Sequence, residues 1–168
     1  MHNRYNRGGL FEWSVSADEK DSTKNVLNLQ QGSFIMPRDY YLNKTDNDDI
    51  IVAYLDFMTK VGVLLDGGNE TTIRVQMKNV LEFERKVSKI LIPPEDLRDD
   101  QKTYHKMQLN ELNKLAPFID WIGYFREAFA PIKRNITAQE PIVVYSPEFF
   151  VNLSKLIEQH LSDNDNKT

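Results

Sequence analysis

No cysteine occurs anywhere in the 168 residues, so neither a disulfide nor a thiolate metal site can be built from this chain. Histidine is almost as scarce. His2, His105 and His160 are the full set, and no two stand at the i, i+4 spacing that grips zinc from one helix face. That leaves the chain with no catalytic residue and no metal ligand to nominate, and no serine with a histidine partner is indicated. An excess of positive charge is missing too. The net charge is −4 and no basic stripe interleaved with aromatics runs along the chain, which excludes the footprint of a nucleic-acid binder. The glycine pairs Gly8-Gly9 and Gly67-Gly68 are too short to cradle a phosphate. No apolar run approaches the roughly 20 residues that cross a bilayer. Met1 to Gly9 carries Arg4 and Arg7 with no apolar stretch behind them, so neither signal peptide nor anchor is expected in this chain.

What is present suffices for a core. The chain is 40% hydrophobic and 11% aromatic, which fits one domain or a piece of a larger one. Phe11, Trp13 and Val15 alternate with Glu12, Ser14 and Ser16, the period of a half-buried strand. A polar, turn-forming stretch from Asp18 to Lys24 precedes a second strand over Asn25 to Gln30, which predicts a β-hairpin with a loop longer than the tightest types. Ile51, Tyr54, Leu55, Met58, Val61 and Leu65 recur at helical spacing, placing a helix from about Asp48 until Gly67-Gly68 stops it. A longer helix follows from about Glu70 to Leu91, ended by Pro93-Pro94, and the two are expected to pack as an antiparallel pair. Glu82 and Glu84 sit two apart on it and therefore point to different sides, which argues against a shared acid/base role.

The second half reads as an extended or turn segment after Lys102, a short helix ended by Pro117, and a helix around Trp121, Tyr124, Phe125 and Phe129 that Asp120 could cap. Pro141 to Tyr145 is a short β-branched run. Ser146-Pro147-Glu148 then opens a helix carrying Phe149, Phe150, Leu153 and Ile157. The domain is drawn as residues 1–161 with a polar tail over 162–168. The fold class is therefore mainly α with a small β-hairpin. The apolar faces around Trp121 and Phe149 look wider than such an assembly can cover, which predicts exposed, sticky surface there.

The segment linking strand to helix holds Pro37-Arg38-Asp39-Tyr40-Tyr41, opposite charges beside two large rings. By itself this reads as a loop pinned by an ion pair, with Arg38 and Asp39 holding the hairpin against the helix from Asp48 and Tyr40 and Tyr41 as anchors. In context, the run D-x-K-x-S-x-x-N from Asp18 to Asn25, then Arg38 to Tyr41, then Ala53-Tyr54 with Phe57-Met58 resembles the N-terminal domain of the M13 peptidases, the neprilysin and endothelin-converting-enzyme family of zinc metalloendopeptidases. Tyr104 to Leu109 is similar to that family's Y-x-K-M-x-L, and Val143 to Phe149 to its V-V-Y-x-P-E-Y/F. Two departures stand out. The family's serine before Arg38 is replaced by the direct step Pro37-Arg38, and its cysteine pair in the following loop falls near Asn43 and Ile51.

The resemblance implies part of a mostly helical N-terminal domain that faces a zinc-bearing catalytic domain across a cavity admitting short peptides. It implies no cofactor in this chain and zinc in the full-length parent, whose H-E-x-x-H motif is absent here. The expected partners are the catalytic domain of the same polypeptide and short peptide substrates, with no nucleic acid, and the expected setting is extracellular or a type II membrane ectodomain. The alternative is a self-standing, non-catalytic domain binding peptides or a protein partner. N-x-S/T sequons at Asn43, Asn69, Asn135, Asn152 and Asn166 exceed the one or two expected by chance and make these five the candidate glycosylation sites.

Overall fold

The computed structural model describes residues 9–99 and 103–165. They form two compact units: Phe34–Leu91, and the flanking segments that run up to Ser33 and onward from Ile92.

The flanking unit is built on a four-stranded mixed sheet in the order β1-β2-β4-β3, comprising β1 (Phe11–Asp18), β2 (Asp21–Gln31), β3 (Tyr104–Gln108) and β4 (Pro141–Tyr145). The small hairpin anticipated from sequence is therefore only half of the sheet. β2 runs parallel to β4, with Leu27 opposite Ile142 and Leu29 opposite Val144, and β3 closes the other side antiparallel to β4. The hairpin is also tighter than the polar residues suggest. Asp18 pairs with Asp21 across a bulge after Ala17, so Glu19 and Lys20 alone make the turn and Ser22 to Asn25 lie in the strand. Those residues are exposed. A strand end with water around it needs no apolar alternation, and this is why the segment reads as a loop.

One face of the sheet carries Trp13, Leu29, Ile142 and Val144, and three helices complete the unit: α4 (Leu109–Leu115), α5 (Trp121–Phe129) and α6 (Pro147–Asp165). Rings do much of the packing. Phe11 lies 5.0 Å from Trp121 and 5.6 Å from Tyr124, Trp13 lies 5.6 Å from Phe125, and Trp121 lies 6.0 Å from Phe150, mostly edge-to-face. Trp121, Phe125, Phe149, Phe150 and Leu153 are fully buried. Each such phenylalanine or leucine contributes about 1.5–3 kcal/mol of hydrophobic stabilisation. Of the exposed apolar surface expected around Trp121 and Phe149, the rings of α5 are packed against Phe11 and Trp13 of the sheet, while Leu161 on α6 stays exposed at 59%. The Trp121 indole N–H donates to the Ala116 carbonyl at 2.8 Å, so its burial leaves no donor unpaired. Asp120 precedes α5 without capping it. The Asn113 side chain instead accepts from the Trp121 backbone N–H at 2.8 Å. α6 continues to Asp165, into the stretch drawn as a tail, and the last three residues lie outside those described.

Gln31 closes the base of this unit. Its amide donates to the Ile92 carbonyl and accepts from the Ile92 N–H, both at 2.9 Å, holding together the two places where the chain leaves and rejoins.

The inserted unit consists of α1 (Arg38–Asn43), α2 (Asp49–Asp66) and α3 (Glu70–Ile90). α2 stops where Gly67 takes a left-handed φ of 68°, and α3 starts at Asn69, whose carbonyl oxygen accepts from the Thr71 and Thr72 N–H groups. Met36, Tyr41, Ile51, Tyr54, Met58 and Leu81 form its core, with Phe34, Leu55 and Met77 packed against them. The Arg38 to Tyr41 segment, expected as a loop, is the first turn of α1, opened by Pro37.

Candidate functional site

Two strand motifs from distant parts of the chain meet at one buried acid. Asp18, at the end of β1, is 1% exposed. It accepts from the Tyr104 hydroxyl at 2.8 Å, from the Lys20 backbone N–H at 3.0 Å, and from the Lys106 ammonium, while the Lys20 ammonium stands 4.3 Å from the centre of the Tyr104 ring. The hydrogen bond from Lys106, then those from Lys20 and Tyr104, pull the Asp18 carboxyl down to about 2. Burial and the Asp18 contact raise the Tyr104 hydroxyl to about 12. Three donors converge on Asp18, and the cluster is a clamp between the hairpin tip and β3. Sequence reasoning used Asp18, Lys20, Tyr104 and Lys106 only as letters of motifs, and nothing in their local spacing announced that they touch.

Beside the clamp, the second face of the sheet is open. A cleft of about 540 Å³ is lined by Glu12, Ser14, Ser16, Asn28, Gln30 and Tyr145 among others. Its acids are occupied: Glu12 accepts from Gln30 at 3.3 Å and Ser33 at 3.0 Å, and Glu19 accepts from the Tyr145 hydroxyl at 2.6 Å. No histidine lines it, so its serines have no base to activate them. His105 lies in a separate cleft of about 480 Å³ with Asp96 and Glu148, and its Nδ1 stands 3.1 Å from the Thr103 carbonyl.

In the inserted unit the four motif residues part company. Arg38 donates from Nε to the Ser88 carbonyl on α3 at 3.1 Å, Tyr41 is buried, and Asp39 and Tyr40 face solvent. Arg38 therefore ties α1 to α3 and makes no ion pair with its neighbour Asp39 among the described residues. The Tyr54 hydroxyl donates to both oxygens of Glu84 at 3.1 Å, and burial raises the Glu84 carboxyl above its ordinary value. Glu82 turns away to Arg85, as the i, i+2 spacing requires.

Of the sequons, Asn43, Asn69 and Asn135 are exposed, Asn152 is half-buried within α6 with the Ser154 hydroxyl buried beside it, and Asn166 lies outside the described residues. No group of three or more His, Asp or Glu side chains able to hold a metal occurs among the described residues, so their donors do not fit a zinc ion. No described helix is long and apolar enough to cross a membrane.

Against known proteins the whole chain finds counterparts. Peptidase family M13 matches it over residues 1–167. The endothelin-converting enzyme homolog of Locusta migratoria is 45% identical over 99% of this chain, and Neprilysin-3 of Drosophila melanogaster is 45% identical over 94%. This chain spans only 23% and 20% of those relatives, about a fifth of their length. The Mycobacterium tuberculosis zinc metalloprotease Zmp1 shares the fold at a TM-score of 0.74 and 21% identity, over 89% of this chain and 22% of that one. A hairpin clamped to a distant strand, an inserted helical pair, and similarity running from end to end make the chain a member of peptidase family M13, corresponding to part of its N-terminal domain.

Proposed function

We propose that this chain is a portion of a neprilysin-like zinc metalloendopeptidase that cleaves short peptides, and that it supplies cavity wall and interdomain surface without the catalytic zinc site. The observation that carries this reading is the pairing of end-to-end M13 similarity with a donor set unfit for zinc among the described residues. Its partner is the catalytic domain of the same polypeptide, which would bring the zinc ligands and the general base. The task of these residues is mechanical: a rigid sheet and helix pair narrow the approach, so that only peptides short enough to enter reach the reacting centre. Arg38, Asp39, Tyr40 and Tyr41 serve structure on this reading and contact no substrate. Passage through the secretory pathway, as an extracellular or type II membrane ectodomain, places glycans on the exposed sequons.

The test is direct. Extend the reading frame to the length of the relatives, and assay zinc-dependent cleavage of a short fluorogenic peptide beside residues 1–168 alone. The long form is expected to cleave and to stop when zinc is chelated, while the short form neither cleaves nor binds zinc tightly. A frame that ends here in full-length message overturns the reading in favour of a self-standing binding domain, and zinc-dependent cleavage by the short form overturns it altogether.

A further inference from the structure

At the β3 edge of the sheet, the cleft that holds His105 differs from its neighbours in the state of its acids. In the cleft on the open face, Glu12 and Glu19 each accept a hydrogen bond. In a cleft of the inserted unit, Asp46 is paired with Lys78 and Arg85. Asp96 and Glu148, which line the His105 cleft, are exposed and have no hydrogen-bond or ion-pair partner among the described residues. No described lysine or arginine lines it, and Ile92, Met107 and Leu115 give it an apolar side.

Ser146 sets the place apart. It lines the same cleft and is only 7% exposed, yet its hydroxyl makes no hydrogen bond among the described residues. A serine ahead of a helix ordinarily turns its hydroxyl onto the first N–H groups. Here the residue takes a left-handed φ of 59°, and it is the Ser146 carbonyl that accepts from the Phe149 N–H, at 3.0 Å. A withdrawn hydroxyl without a partner has given up water for nothing, which calls for a partner from outside the chain. The dipole of α6 accounts for a carboxylate at Glu148 and leaves Ser146 and Asp96 unexplained.

We propose that this cleft binds a lysine side chain presented by a peptide. Two carboxylates turn away an anion, and no group of three His, Asp or Glu side chains able to hold a metal occurs among the described residues. What fits is an apolar stem that ends in a cation. The lysine methylenes lie along Ile92, Met107 and Leu115. The ammonium has three N–H donors and no acceptor, and the chain offers it acceptors from three places: Asp96 after the paired prolines, Ser146 ahead of α6 and Glu148 in its first turn. Separate acceptors suit a compact, rotatable ammonium better than a guanidinium, whose planar fork favours a single carboxylate. The cleft's volume of about 480 Å³ lies within the range of small-ligand sites, about 300–1,000 Å³, and leaves space for the backbone that carries the side chain. The proposal goes beyond the reading of the chain as part of a peptidase and needs only the residues that line the cleft.

Methyl NMR of residues 1–168 tests this, with the signals of Ile92, Met107 and Leu115 as reporters. Acetyl-lysine methylamide is expected to shift them saturably. Acetyl-norleucine methylamide, with the stem but no charge, should bind several-fold more weakly. Salt at about 0.5 M should weaken the lysine derivative and spare the other. An equal response to the two compounds overturns the proposal, and so does the lack of any saturable shift. The variant D96N/E148Q changes two exposed positions, should melt like the parent, and should lose the preference for lysine; a preference retained assigns the binding elsewhere and is equally fatal. S146A should weaken lysine binding several-fold without lowering the melting temperature, and unchanged binding strikes the hydroxyl and the proposal with it. The contrast between lysine and norleucine is read on the unaltered chain, so it decides even where a variant folds poorly. Butylammonium separates the sources of an alkyl cation: weaker binding than acetyl-lysine methylamide assigns the cleft to a peptide, and equal or tighter binding assigns it to a free amine, against the proposal.

Discussion

Asp18 and Glu84 are both carboxylates withdrawn from water, yet their surroundings push them in opposite directions. Asp18 is held at about 2, below its ordinary 3.8, by hydrogen bonds from Lys106, Lys20 and Tyr104. Its stabilising effect is complete above the unfolded value and is lost as pH falls from about 4 through about 2. Glu84 is raised by burial, so its contribution is full below the ordinary value of 4.5 and fades as pH rises through the folded one. Thermal melting against pH should therefore show the acid-side loss blunted in Asp18→Asn, and the loss toward neutral pH blunted in Glu84→Gln, which keeps an acceptor for Tyr54. Neighbouring charges in the Arg38 segment also separate. Arg38→Ala removes a charged donor from the Ser88 carbonyl and is expected to cost about 1–3 kcal/mol, whereas Asp39→Ala at the exposed position should stay within about 0.5 kcal/mol. Denaturant melts of the two variants decide it, and equal losses would restore the side-by-side ion pair that the sequence suggests.

Among the elements, the long helices and the β1-β2 hairpin were legible, while α1 and the joining of β3 and β4 to the hairpin were not. α2 and α3 announce themselves through apolar spacing, Gly67-Gly68 and the paired prolines, all local signals. β4 is placed by pairing with Leu27 to Leu29, more than a hundred residues away in sequence, and no window of sequence reports a partner at that range. Leu29, opposite Val144 at one end of that pairing, is fully buried. Leu29→Ala is expected to cost about 2–5 kcal/mol, read by urea titration, and a loss under about 1 kcal/mol would mean that the parallel pair is not formed. Val61 and Leu65 share the apolar spacing of α2 yet stand exposed at 37% and 84%, since periodicity marks an apolar position without reporting whether anything covers it. Helix position also sorts the sequons. Asn69 caps α3 through its carbonyl oxygen, leaving Nδ2 free for a glycan, while Asn152 lies mid-helix with the Ser154 hydroxyl buried. Peptide mapping after secretion from a eukaryotic host should find Asn43, Asn69 and Asn135 modified and Asn152 bare. A bare Asn69 beside a glycosylated Asn152 would contradict the assignment.

For the molecule as a whole, the family motifs proved to be fastenings. D-x-K, Y-x-K-M and V-V-Y come together around Asp18, Tyr104 and Tyr145, so what was legible as kinship is physically a set of clamps. The Gln31 amide belongs with them. By bonding both the N–H and the carbonyl of Ile92 it holds the end of β2 a hydrogen bond from the point where the chain returns. A junction of that kind works as a socket. Phe34–Leu91 can lengthen, shorten or be exchanged for a brief glycine-serine bridge at little entropic cost to the strands, since loop closure grows only slowly with length. Evolution, or a protein engineer, can treat the helical insert as a cassette.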